Sequence, residues 1–141
     1  MMEFSAIGKR TPRIDAVEQV TGRAQFLPDL KFPNMLYGAI LRSPIAHGRI
    51  LNIDTHEAER VPGVKAIITS LDSPTACVGF YMGVANKECL VSDRVRFIGD
   101  DIAAVAAESQ ESAQEACSSI KVDLEPLPAV FDPDEALKTG A

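Results

Sequence analysis

One stretch constrains the fold more than any other: Val95 to Pro128, VRFIGDDIAAVAAESQESAQEACSSIKVDLEPLP. Val95 to Ile98 alternates β-formers with Arg96, and Gly99-Asp100-Asp101 supplies turn chemistry, so a hairpin that sets strand register is expected there. Ile102 to Ala107 is a nearly continuous apolar run of strand length, as a strand covered on both faces would be. Ser109 stands where a helix N-cap belongs, with Glu111 in the first turn, where a carboxylate complements the helix dipole. Ala113, Ala116, Cys117 and Ile120 fall at i, i+3, i+4 and i+7, one apolar stripe on a helix. Val122 and Leu124 resume a period of two until Pro126 and Pro128 stop it. The stretch predicts β-turn-β-α-β. It is a scaffold, with no obvious chemistry in it.

Composition bounds the rest. A chain of 141 residues fits one domain that buries roughly two-thirds of its unfolded surface. Trp is absent and aromatics are few, so the core must come from Ala, Val, Ile and Leu. A formal charge of -6 with no Lys/Arg cluster excludes a phosphate-backbone binder, and no nucleic-acid partner is expected. The first ten residues, MMEFSAIGKR, hold no apolar signal region, and no run approaches the ~18 apolar residues of a spanning helix, so no membrane insertion is expected. A cytoplasmic location follows as the expectation. Cys77, Cys89 and Cys117 are odd in number and lack C-x-x-C spacing. Cys117 reads as a small core residue, and Cys77 and Cys89 fall in a loop.

Taken in order, residues 1–13 carry no periodicity and read as an N-terminal arm, leaving 14–141 as a single domain. Asp15 and Glu18 make a capping-box arrangement for a short helix, with Val17 and Val20 facing inward and Gly22 closing it. Arg23 to Phe26 reads as a short strand, and Phe32-Pro33-Asn34 as a turn. Met35 to Leu41 follows as a buried strand, in which Gly38 suggests a bulge or a close backbone approach. Arg42-Ser43-Pro44 interrupts it. Ile50 to Ile53 is a strand, Asp54 and Glu57 open a helix with Ala58 and Val61 inward, Pro62-Gly63 ends it, and Val64 to Thr69 is a strand. Leu71 to Val91 is the least regular part, with an apolar tip of Val78, Phe80, Tyr81 and Met82; a loop of about twenty residues in a compact domain is usually functional or misassigned, and an exposed apolar tip would mark a contact surface. Asp132 and Pro133 begin a last short helix, with Ala136 and Leu137 inward. The sum is an α+β domain, a small mixed sheet with β-α-β units and two to four short helices.

A search for chemistry finds little. There is no P-loop, no dinucleotide-binding glycine pattern, no H-E-x-x-H and no G-x-S-x-G elbow. His47 reads as a surface or hydrogen-bonding residue and His56 as a solvated one. Asp100 and Asp101 are adjacent carboxylates whose side chains should diverge. Arg42 is the best candidate for a structural ion pair or an anion contact.

The order of motifs carries more information than any single residue. Asp15-Ala16, then Val20-Thr21-Gly22-x-Ala24-x-Phe26-x-x-Asp29, resembles the opening of the molybdenum hydroxylase large subunit, as in xanthine dehydrogenase, aldehyde oxidoreductase and 4-hydroxybenzoyl-CoA reductase. Arg42-Ser43-Pro44-x-Ala46-His47-x-x-Ile50 and Pro62-Gly63-Val64 follow. After them come Val95-x-x-x-Gly99-Asp100-x-Ile102-Ala103-x-Val105-Ala106 and Val122-x-x-Glu125-x-Leu127-Pro128-Ala129. The likeness runs from Gly8 to Gly140, and Arg13 to Phe26 and Arg42 to Ile50 look most like the hydroxybenzoyl-CoA reductase branch.

The resemblance implies the α/β hammerhead fold, the first domain of the molybdopterin-bearing subunit. It implies molybdopterin-molybdenum, 2Fe-2S clusters and FAD for an assembled complex, with the remaining molybdopterin-binding domains, an iron-sulfur subunit and an FAD subunit as partners. The family's pterin loops and catalytic glutamate belong to later domains, so no catalytic, cofactor-binding or metal residue is assigned here. A structural and partner-docking role is implied, with the tip Val78, Phe80, Tyr81 and Met82 as a lining of the substrate funnel or a partner contact. The alternative is a free-standing interaction module that kept the fold without the enzyme; an autonomous enzyme using Asp100, Asp101 and His47 is the third.

Overall fold

The apolar run Ile102 to Ala107 sits mid-sheet. In a computed structural model that describes residues 7–73, 79 and 87–139, this run lies within the central strand of a three-stranded sheet. The chain divides into two compact units, Met1–Pro33 and Asn34–Ala141.

In the first unit, α1 (Ala16–Val20) forms as expected. Its end is a Schellman closure, with Arg23 N donating to Glu18 O at 2.8 Å, Gly22 N donating to Gln19 O at 3.3 Å, and Gly22 at φ +70°. Its start differs from the expectation. Asp15 makes no cap, because its carboxylate binds Arg13 Nη2 at 2.8 Å and Gln19 Nε2 at 2.6 Å. The Arg13 guanidinium also holds the Asp15 carboxyl below its usual range. Val17 and Val20 are exposed rather than inward, since no element among the described residues covers this five-residue helix. Arg23 to Phe26 is not a strand; it leads into a 3-10 turn, Leu27–Asp29, in which Asp29 Oδ2 accepts from Phe26 N at 3.0 Å.

The second unit holds two three-stranded sheets. The first has the order β1 (Tyr37–Arg42), β5 (Asp101–Ala107), β3 (Val64–Ile68), and the second β4 (Arg94–Val95), β2 (Gly48–Asp54), β6 (Lys121–Pro126). Every pairing among the described residues is antiparallel. The expected small mixed sheet is therefore two antiparallel sheets. Both strand-helix-strand passages exist in sequence, but each carries the chain from one sheet to the other. A parallel βαβ unit would have returned it to the same sheet.

Burial explains the arrangement. In β5, Ala103, Val105 and Ala107 are fully buried on one face, whereas Ala104 and Ala106 opposite them are half-buried. Coverage of both faces was the expectation; one face has it throughout, and the other only at Ile102, which is buried in a second core. The covering element is α2 (Gln110–Ser119), whose stripe puts Ala113, Ala116 and Ile120 into the core with Cys117 at its margin. Alanine on both sides lets the helix approach the strand closely. The Ser109 hydroxyl accepts from Ser112 N at 3.0 Å, the expected N-cap. Ala58, on the 3-10 turn Ala58–Arg60, completes this core. A second, smaller core gathers Val91, Val95 and Ile102.

Other expectations shift. β1 alternates half-buried and exposed residues instead of being buried throughout, because only one side of this edge strand is covered. Gly38 has no bulge; a Cβ there would lie 3.9 Å from Val105 O, and the irregularity falls between Leu41 and Arg42. The helix expected after Asp54 shrinks to the 3-10 turn, although Asp54 Oδ1 does accept from His56 N at 3.0 Å. In α3 (Pro133–Ala136), Asp132 caps as expected, but Ala136 and Leu137 are exposed.

Candidate functional site

Gly99-Asp100 is a corner, not a hairpin. β4 pairs with β2 and β5 with β1 and β3, so the strands flanking the turn belong to different sheets. Gly99 takes φ +93°, the left-handed region that glycine tolerates. Its N–H donates to Ser43 O at 2.8 Å, and Ser43 N donates to Asp100 O at 2.9 Å. The Asp100 carboxylate is buried, and its Oδ2 accepts from Arg96 N at 3.1 Å. Asp100 thus locks the corner and does not face solvent.

Asp101 behaves differently, as adjacent carboxylates should. Its carboxylate lies 3.6 Å from Arg42 Nε and 3.4 Å from Lys87 Nζ. Lys87 also sits over the Phe97 ring at 5.4 Å. Arg42 is the structural ion-pair residue that the sequence suggested. Both cations are half-exposed, so each pair contributes modestly.

Three chain segments leave the same end of the β4-β2-β6 sheet and enclose a groove of about 690 Å³. Its lining comes from Ala46 and His47 before β2, Arg96 to Ile98 after β4, and Pro128 to Phe131 after β6, with Ala136 of α3. His47 ties two walls together: its carbonyl accepts from Leu127 N at 3.0 Å, and its Nδ1 is 2.6 Å from Pro128 O. That contact bears out the hydrogen-bonding reading of His47. His56 is exposed.

Phe97, Ile98, Val130 and Phe131 line this groove and were not singled out in the sequence. The signal was present. Phe97-Ile98 breaks the alternation just before Gly99, and Val130-Phe131 is an apolar pair beyond the Pro126-x-Pro128 stop. The tip residues Val78, Phe80, Tyr81 and Met82 lie outside the described residues, as does Cys77. Cys89 is exposed, and burial pushes the half-buried Cys117 thiol up. Among the described residues, no three of His, Cys, Asp and Glu stand where they could share a metal ion. The donors among these residues do not fit a molybdenum or iron-sulfur centre. No helix among the described residues is long and apolar enough to cross a membrane.

Residues 21–128 match the family model described as aldehyde oxidase and xanthine dehydrogenase, a/b hammerhead domain. The chain belongs to that family. A probable xanthine dehydrogenase component of Bacillus subtilis is 40% identical over 129 residues, covering 92% of this chain and 17% of that protein. Among solved structures, reconstituted CO dehydrogenase from Oligotropha carboxidovorans superimposes with a TM-score of 0.88 at 32% identity, over 95% of this chain and 17% of that one. The aldehyde oxidoreductase of Desulfovibrio gigas gives 0.83 at 35% identity, over 92% and 16%. The two antiparallel sheets bridged by α2 are therefore the hammerhead fold, as the motif order implied. The chain spans about a sixth of the length of these relatives. Their names attach molybdenum to other members, among them the xanthine dehydrogenase molybdenum-binding subunit of Escherichia coli.

Proposed function

We propose that this hammerhead domain is a structural and partner-docking component of a cytoplasmic, molybdopterin-dependent oxidoreductase and catalyses nothing by itself. The observation that carries the reading is a contrast. The fold matches molybdenum hydroxylase large subunits over nearly the whole chain, while the polar side chains it describes hold corners, caps and surface pairs. Molybdopterin-molybdenum, 2Fe-2S clusters and FAD belong to the other domains or subunits of the complex. On the resemblance alone, the role assigned to Val78, Phe80, Tyr81 and Met82 is substrate-funnel lining or partner contact.

Affinity purification of the tagged protein from its native host tests this. Recovery of molybdenum and iron, with molybdopterin-binding sequence in the same particle, is the expected result. A metal-free, partnerless monomer would instead favour a free-standing interaction module.

A further inference from the structure

Among the described residues, β1 is the one long sheet edge with nothing to block it. The first sheet ends at β1 and β3, the second at β4 and β6. An open edge pairs readily with another strand, and proteins prevent this with charge, proline, bulges or shortness. β6 alternates Lys121, Asp123 and Glu125 and ends at Pro126, and β4 has only Arg94 and Val95. β3 carries Lys65 at a register shift between Val64 and Ala66. β1 has none of these devices from Tyr37 to Leu41. Its irregularity and its charge come together at Arg42, which is paired with Asp101. Ile40, in the middle of the edge, is 47% exposed.

Helix α2 reaches over this edge. It packs on both β1 and β5 and so lies above the seam between them. A groove of about 550 Å³ opens between its flank and β1, with Tyr37 to Ile40 along one wall. Gln110, Gln114, Cys117 and Ser118 form the other wall at i, i+4, i+7 and i+8, a stripe that leaves out Glu111 and Glu115. Both walls are neutral. A charged partner finds no answering charge here, whereas a second copy of this chain of net charge -6 brings the same neutral walls. Spacing selects the same occupant. Neighbouring strands lie about 4.8 Å apart, so pairing β1 with its copy about a two-fold axis sets the two α2 helices about 9.6 Å apart. Helices pack at about 8–10 Å, so edges and helices close together in one step. We infer that two copies of this domain associate through β1, joining their three-stranded sheets into one antiparallel sheet with α2 packed on its copy. The inference stands apart from the function proposed above, since it concerns like chains and no metal.

Sedimentation equilibrium of the purified protein, with hydrogen exchange of the β1 amides, tests this. A monomer–dimer equilibrium with a Kd of about 1–100 µM is expected, as suits a small interface. Amides of Tyr37–Arg42 should exchange more slowly as protein concentration rises. Ile40→Lys should weaken association about tenfold, because the two-fold axis brings its ammonium close to that of the other copy. Gln114→Glu should weaken it in the same direction from the helix wall, without altering the strand. Ile68→Lys, at a position 44% exposed on the opposite edge of the same sheet, should leave association unchanged. Circular dichroism melts establish that each variant is folded. A protein that stays monomeric to about 1 mM overturns the inference. So does a dimer indifferent to Ile40→Lys and Gln114→Glu, one weakened equally by Ile68→Lys, or one whose β1 amides exchange as fast as the monomer's.

Discussion

Replacing Asp100 by alanine removes the acceptor that holds the corner between the two sheets. The residue is 5% exposed, and its carboxylate takes the Arg96 N–H at 3.1 Å. A hydrogen bond to a charged acceptor is worth about 1.5–3 kcal/mol, and deletion leaves the Arg96 N–H without it. Relief of the buried carboxylate's own desolvation offsets part of that, giving a net loss of about 1–2 kcal/mol. The backbone bonds between Ser43 and the corner remain, so the fold should persist. For a domain of this size the loss corresponds to a fall in melting temperature of about 3–8 °C. Circular dichroism melts of wild type, Asp100→Ala and Asp100→Asn measure it. Asparagine keeps an oxygen in place and should lose less than half as much. The reasoning fails if alanine melts with the wild type, or if asparagine and alanine are equally damaging.

Three further outcomes are expected. Ile102→Ala, at a side chain 1% exposed between the two sheets, should cost about 2–4 kcal/mol in urea unfolding. Ser109→Ala should cost about 1 kcal/mol by the same assay, and Ser109→Asp should restore most of it, because either side chain can accept from Ser112 N. Cys117 should react with iodoacetamide more slowly than exposed Cys89 at mildly alkaline pH, as peptide mapping would show. Its thiol is raised above 9.0 by burial, so the contribution to stability is complete below pH 9.0 and declines as pH rises through the higher folded value. Cys117→Ala should flatten that decline.

The residues that announced themselves were those whose structure is local. Ser109, Asp132 and Gly22 sit where they do because a helix end needs an acceptor or a left-handed residue within a few positions, and short spacings express that need. The α2 stripe was equally legible from its period. What failed was non-local. Nothing near Gly99 says that β4 pairs with β2 across forty residues of chain, so a corner read as a hairpin. The coverage of β5 depended on which strand-helix passages change sheets, and that is decided by the assembled core. Val17, Val20 and Leu137 were placed inward because apolar spacing implies a covering partner, and the described residues supply none. The groove was missed for a related reason: its walls come from three separate segments that meet only once the β4-β2-β6 sheet is built.

The central claim is that this domain contributes fold and docking surface while the metal resides elsewhere. The direct measurement is molybdenum analysis of the purified native complex before and after this domain is separated from molybdopterin-binding sequence, by mild dissociation or by proteolysis. All the molybdenum is expected to stay with that sequence and none with the residues of this chain. Molybdenum retained in stoichiometric amount by this domain alone would contradict the account.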